Sequence, residues 1–169
     1  RALNELQRLL ASGEEASLCL AGDRATFTVG QATLSTSLLQ IEFPNYRQLI
    51  QPNYPNSLTT AREPLLEAIR RCRILARETT PVRLEMTATS LKLIVVTQDV
   101  GNTVEELDAT MVGSDITVGF NPEYLAAGIE AVSGDEITIQ TTDPIKPAVL
   151  RGVGAPDYLY LVMPQRLTN

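Results

Sequence analysis

Three arginines, Arg70, Arg73 and Arg77, carry the most readable chemistry in the chain. A helix turns about 100° per residue, so all three fall in one narrow sector of its surface. Arg71 falls elsewhere. A stripe of guanidinium groups on an acidic protein is the pattern of a surface presented to phosphates. The opposing reading is a solvated helix face, with Glu67 and Arg71 forming an i,i+4 pair. Arg1 and Arg8, in an earlier helical stretch, are weaker candidates of the same kind. A third helical stretch carries Glu123 and Glu130 and no base, and is expected to add little.

Other reactive groups are scarce. The chain has no histidine, which removes the commonest general base and transition-metal ligand. Neither GxGxxG nor GxxxxGK[ST] occurs, so the usual glycine-rich phosphate cradles are missing. Carboxylates are plentiful, but they read as solvated surface, and a hydrolase built on them is set aside. The net charge of −6 excludes a basic field over the whole protein and leaves room for a local stripe. Cys19 and Cys72 lack metal-ligand spacing and are expected to be reduced and buried. No cofactor or metal is expected, and no apolar run approaches the roughly 20 residues of a membrane span.

The chain end, YLYLVMPQRLTN (158–169), raises a different chemistry. In an extended chain Tyr158, Tyr160 and Val162 point one way and Leu159, Leu161 and Met163 the other. Both faces are apolar, so the strand wants cover on both sides. Pro164 cannot donate to a ladder, and the sheet is expected to stop there. Two readings follow: a core strand that frays into a tail, or one wall of an apolar surface groove.

These residues sit in a repeated pattern. Helical periodicity marks 2–11, 63–78 and 121–132, with apolar faces Leu3/Leu6/Leu10, Leu65/Ile69/Cys72/Ala76 and Leu125/Ile129/Val132. After each helix come three strand-like runs: ASLCLA, ATFTVG and ATLSTSLL; VRLEMTA, SLKLIVVT and TVEELDATMV; EITIQTT, AVLRGV and YLYLVMP. Two further short strands, SLTTA and DITVGF, precede the second and third helices. The fold class is therefore α+β, with one helix-plus-antiparallel-strands unit repeated and helices on one side of the sheets. Units two and three make one compact domain. Unit one is left as the second half of another, and IEFPNYRQLIQPNYPNS (41–57) is the natural connector. The chain opens on Arg1 within a helical pattern and is expected to be cut from something longer.

The repeat, the linker FPNYRQLI (43–50), the junction VGFNPEYL (118–125) and the ending YLVMPQRL (160–167) resemble the bacterial sliding clamps, the DNA polymerase III β subunits. The resemblance runs over essentially the whole chain. It implies that residues 1–42 are the second half of a middle domain, 43–49 an inter-domain linker and 50–169 a complete C-terminal domain. It implies a non-catalytic, cytoplasmic processivity factor whose intact form is a homodimeric ring around duplex DNA. A closed ring is not expected of this chain alone. Polymerase, clamp loader and repair proteins would dock short linear motifs in a groove built from Pro44, Gln48, Leu49, Ile145, Pro147, Leu161, Val162, Met163, Pro164, Gln165, Arg166 and Leu167. The resemblance also favours a DNA-facing role for Arg1, Arg8, Arg70, Arg73 and Arg77, through backbone contacts that carry no sequence information. It places Ile74, Leu75, Asp99 and Glu105 at a subunit interface; an isoleucine opposite the core sector of its helix independently suggests a partner. Gln48 and Gln165 depart from the family pattern, where arginine and an apolar residue are common, so motif preference is expected to differ. A peptide-binding adaptor with no nucleic-acid role is the alternative function.

Overall fold

A computed structural model describes residues 1–11, 15–76 and 80–167. Arg77 of the arginine stripe lies outside the described residues. The chain divides into two units, Arg1–Asn45 and Tyr46–Asn169.

The first unit is one helix, α1 (Ala2–Leu10), and a three-stranded meander of β1 (Ala16–Ala21), β2 (Arg24–Val29) and β3 (Ala32–Ser37). Two-residue turns join the strands, and Gly22 and Gly30 supply the positive φ, 58° and 56°, that such turns require. Little of this unit is buried. No residue of α1 is, and β1 is exposed along its whole length. The expected Leu3/Leu6/Leu10 face is only partly covered here, with Leu3 70% exposed and Leu6 half-buried. Cys19, expected to be buried, is exposed, because β1 has no layer packed over it.

The second unit holds the core. After a single 3-10 turn at Tyr46–Leu49 come β4 (Asn56–Ala61), α2 (Arg62–Leu75), β5 (Val82–Met86), β6 (Ser90–Thr97) and β7 (Gly101–Val112). The pattern then repeats as β8 (Ile116–Phe120), α3 (Pro122–Glu130), β9 (Glu136–Thr141), β10 (Ala148–Gly152) and β11 (Ala155–Val162), followed by the two-residue β12 (Pro164–Gln165). All pairings are antiparallel, in the order β11-β10-β9-β4-β7-β6-β5-β8-β12. The halves are stitched reciprocally: β4 pairs with β9 of the other half, and β8 pairs with β5. Strand period two puts Leu84, Leu93, Ile137 and Ile139 on one face, where they are fully buried with Leu65 and Ile69 of α2 and Leu125 and Ile129 of α3.

Helix ends follow local chemistry. Asn121 caps α3, its side chain accepting from the Glu123 amide at 2.8 Å, and Pro122 takes the first helical position. The second helix stops at Leu75, short of the expected 78. Ala76 turns extended (φ −71°, ψ 131°), and the Thr97 hydroxyl donates to the freed Leu75 carbonyl at 2.6 Å.

The sheet does not stop at Pro164. Strand β7 runs unbroken, pairing with β6 through residues 101–108 and with β4 through 109–112. Its counterpart in the second half is broken in two: β11 pairs with β10, Met163 intervenes, and β12 pairs with β8. Proline is tolerated there as the first residue of a strand. Val162 and Pro164 thus lie at opposite ends of the strand order yet one residue apart, within about 8 Å. The two edges of the nine-stranded sheet meet at Met163.

Candidate functional site

The break at Met163 decides which side chains face outward. On the inner face, the Tyr158 hydroxyl donates to the Gly128 carbonyl of α3 at 2.7 Å. The Tyr160 ring lies so close to the same helix turn that a Cβ on Gly128 would meet it at 2.5 Å. Burial pushes both phenols above the usual tyrosine range. Val162 completes this face and is buried. Leu159, Leu161 and Met163 project from the other face, and Met163 is 57% exposed. Leu159 and Leu161 are half-buried on that face.

Beyond Met163, Gln165, Arg166 and Leu167 join Pro144 and Ile145 around a hollow of about 330 Å³. The loop before β10 presents Ile145 by simple means. Asp143 accepts from the Ile145 amide at 2.9 Å and from the Lys146 amide at 3.0 Å, an Asx turn that stiffens the segment. The Ile145 amide, with Lys146 behind it, holds the Asp143 carboxyl below its ordinary range. Ile145 is left 74% exposed at the tip. Leu167 packs on Gly119 of β8, where a Cβ would come 2.6 Å from Leu167 Cδ2. Leu167 is also a wall of a second hollow, about 290 Å³, with Pro81, Arg83, Ile94 and Val96. Of the residues expected in the groove, the structure gathers Ile145, Gln165, Arg166 and Leu167 at one hollow, and Leu161, Val162, Met163 and Pro164 do not line it. Pro147 is half-buried at the start of β10. Gln48 and Leu49 lie on the 3-10 turn and do not line this hollow; Pro44 belongs to the first unit. Pro144 lines the hollow where Pro147 is expected, and the sequence DPIKP by itself does not distinguish the two prolines. Gln165 has a buried side-chain oxygen with no hydrogen-bond partner among the described residues.

The arginine face is not the open cation stripe that its spacing suggests. All four arginines of α2 meet carboxylates. Arg62 pairs with Glu63, Arg70 with Glu130 at 2.9 Å, and Arg73 with Glu123 at 2.8 Å. Arg71 grips Glu105 of β7 with two bonds of 2.8 Å, with Glu67 at 3.8 Å behind. Hydrogen bonding from Arg71 holds the Glu105 carboxyl below its ordinary range. The third helix, expected to add little, supplies the partners of Arg70 and Arg73. Glu123 and Glu130 stand two turns apart on one side of α3. Arg8 on α1 bonds Glu5 at 3.2 Å, and Arg1 is exposed nearby.

At the far end of α2, Ile74 is 83% exposed, whereas Leu75 packs against the core. Asp99 sits at the β6–β7 turn with φ 61°, a conformation Asp tolerates better than most residues. Glu105 lies in the stretch of β7 that pairs with β6 alone, but its carboxylate is turned inward to Arg71. Among the described residues no group of three His, Cys, Asp or Glu stands close enough to hold a metal ion.

Residues 47–166 match the family described as DNA polymerase III beta subunit, C-terminal domain. Over 180 residues the chain is 31% identical to the beta sliding clamp of Streptomyces coelicolor, a match covering all of this chain and 48% of that protein. Against the beta sliding clamp of Synechococcus elongatus it is 34% identical over 175 residues, covering all of this chain and 47% of the relative. Among solved structures, a sliding clamp from Bartonella birtlesii bound to griselimycin superposes with a TM-score of 0.85 at 27% identity, over 98% of this chain and 45% of that one. The Caulobacter crescentus pol III beta structure gives 0.84 at 26% identity, over 98% and 45%. The chain spans about half the length of the curated relatives it matches.

Proposed function

Because the chain belongs to the DNA polymerase III β-subunit family, the beta sliding clamps, we propose that it is the C-terminal part of a processivity factor that performs no catalysis and tethers other proteins to duplex DNA. Residues 1–42 are the second half of a middle domain, 43–49 the linker and 50–169 the last domain. The α2 face, through Arg70 and Arg73, lies toward the DNA backbone, with Arg77 proposed for the same role and Arg1 and Arg8 as lesser contributors. Ile74 and Leu75, with Asp99 and Glu105, form the edge that meets a second copy. In such an assembly topology rather than grip retains the protein on DNA, and a tethered enzyme gains effective concentration at its substrate.

One observation carries this reading: past the sheet closure Ile145, Gln165, Arg166 and Leu167 surround a hollow, and two apolar side chains of this region stay in the open, Ile145 74% and Met163 57% exposed. A short linear motif with an aliphatic or aromatic anchor fits such a surface, and methionine suits one that must accept several sequences. Polymerase, clamp-loader and repair proteins are the partners proposed to carry that motif. A peptide of this kind, titrated while NMR shifts are followed, should move Ile145, Met163, Gln165 and Leu167. Met163→Ala should weaken binding about 5- to 30-fold, the effect of losing one or two kcal/mol of packing, and leave the fold intact. Shifts confined to other surfaces would mean that the chain end is only a core strand with its tail.

The carboxylate pairing of every described α2 arginine favours a second reading, an adaptor that binds peptides and has no nucleic-acid role. Arg70→Gln with Arg73→Gln separates the two, since only the clamp loses DNA binding.

A further inference from the structure

The acids opposite Arg70 and Arg73 are placed where they would oppose a phosphate. Both pairs bridge α2 and α3; neither lies within one helix. They are not needed to hold the helices together, because Leu65, Ile69, Leu125 and Ile129 between them are fully buried. Half-exposed pairs of this kind add little to stability: the side chains of Arg70 and Glu130 are 50% and 48% exposed, those of Arg73 and Glu123 37% and 60%. A weak pair opens readily. Its carboxylate then stays beside the arginine and repels the phosphate that displaced it. Arg71 differs, since Glu105 ties it to the sheet with two bonds.

We infer that Glu123 and Glu130 are affinity-limiting residues. They hold the α2 face to a loose grip on a nucleic-acid backbone, so that contacts can be exchanged as the protein slides. The inference rests on the proposed DNA-facing role of α2. An arginine already facing a carboxylate gives up that partner to take a phosphate, so each contact is weakened and the salt dependence is shallower than the arginine count implies.

The test uses this chain, a labelled short DNA duplex and fluorescence anisotropy over a salt series. Glu123→Gln with Glu130→Gln should tighten binding at low salt, by about fivefold for each carboxylate, the effect of a unit charge at about 4 Å in a water-like medium. The slope of log affinity against log salt should steepen by about 0.9 for each arginine freed. Two further variants complete the set. Glu85→Gln with Asp157→Asn makes the same change to the net charge of −6 on strand positions facing away from the helices. Arg70→Gln with Arg73→Gln removes the face itself. Tightening by the α3 variant alone, with loss of binding in the arginine variant, supports the inference. If the arginine variant loses binding and the α3 variant does not tighten, or the Glu85/Asp157 control tightens as much, the inference fails and the DNA-facing reading stands. If the arginine variant binds DNA as the parent does, both fail.

Discussion

The closure of the sheet at Met163 makes a sharp demand on Gly119. This residue lies in β8 with β12 paired beside it, Gln165 directly opposite. A Cβ there would come 2.6 Å from Leu167 Cδ2 and 2.9 Å from the Gln165 carbonyl oxygen. The leucine methyl can swing aside. The carbonyl cannot, because the ladder fixes it. Gly119→Ala must therefore push β12 away from β8. Overpacking of this kind costs about 1–3 kcal/mol. Against it stands the lower chain entropy of alanine in a strand, about 0.5–1 kcal/mol in favour. The net expectation is a loss of about 1–2 kcal/mol in urea denaturation. The same substitution in a chain ending at Met163 is freed of the three closest contacts, all to Gln165 and Leu167, so its sign should reverse to a gain of about 0.5–1 kcal/mol. The peptide site should respond with stability, since Gln165, Arg166 and Leu167 form one wall of the hollow. A displaced β12 predicts weakened peptide binding and moved NMR shifts at Ile145. If Gly119→Ala proves equally neutral or stabilising in both chain lengths, β12 does not close the sheet, and the groove as described is wrong.

Gln165→Leu should raise the urea midpoint, by an amount equivalent to about 1 kcal/mol, because it removes a buried acceptor with no partner among the described residues. In a thiol-labelling assay, Cys19 should react in the native protein. Cys72, fully buried and pushed up to about 11 by that burial, should react only on unfolding. For Glu105 the folded carboxyl is held low by Arg71. Its stabilising contribution is therefore present above the unfolded carboxylate range, about pH 4.3, and is lost as pH falls through the lower folded value. Urea denaturation from neutral pH to about pH 3 should show Glu105→Gln losing part of the acid sensitivity of the parent chain.

Much of this protein is written in local signals. The three helices, the strand triplets behind them and the Pro and Asn that open α3 can be read because period and capping act over a few residues. The apolar two-faced ending at 158–163 announces a strand that wants cover on both sides. The arginine stripe is equally legible, since its spacing is a property of one helix. Only the tertiary structure decided what these elements meet. Pro164 ends a strand by every local rule, yet the chain resumes pairing at once, because the edge of β8 is brought to it from more than 40 residues upstream. Cys19 is a small apolar residue in a strand that looks like core, but burial depends on a second layer, and no neighbouring residue states whether one is present. Glu123 and Glu130 look idle on their own helix. They neutralise Arg70 and Arg73 because the shared core, with Ile69 of α2 and Ile129 of α3 both fully buried in it, sets the two helices side by side, and charge acts between them at 50 and 60 residues of separation. Propensity and periodicity belong to the chain. Electrostatic pairing, exposure and sheet closure belong to distances through space, which the hydrophobic core alone fixes.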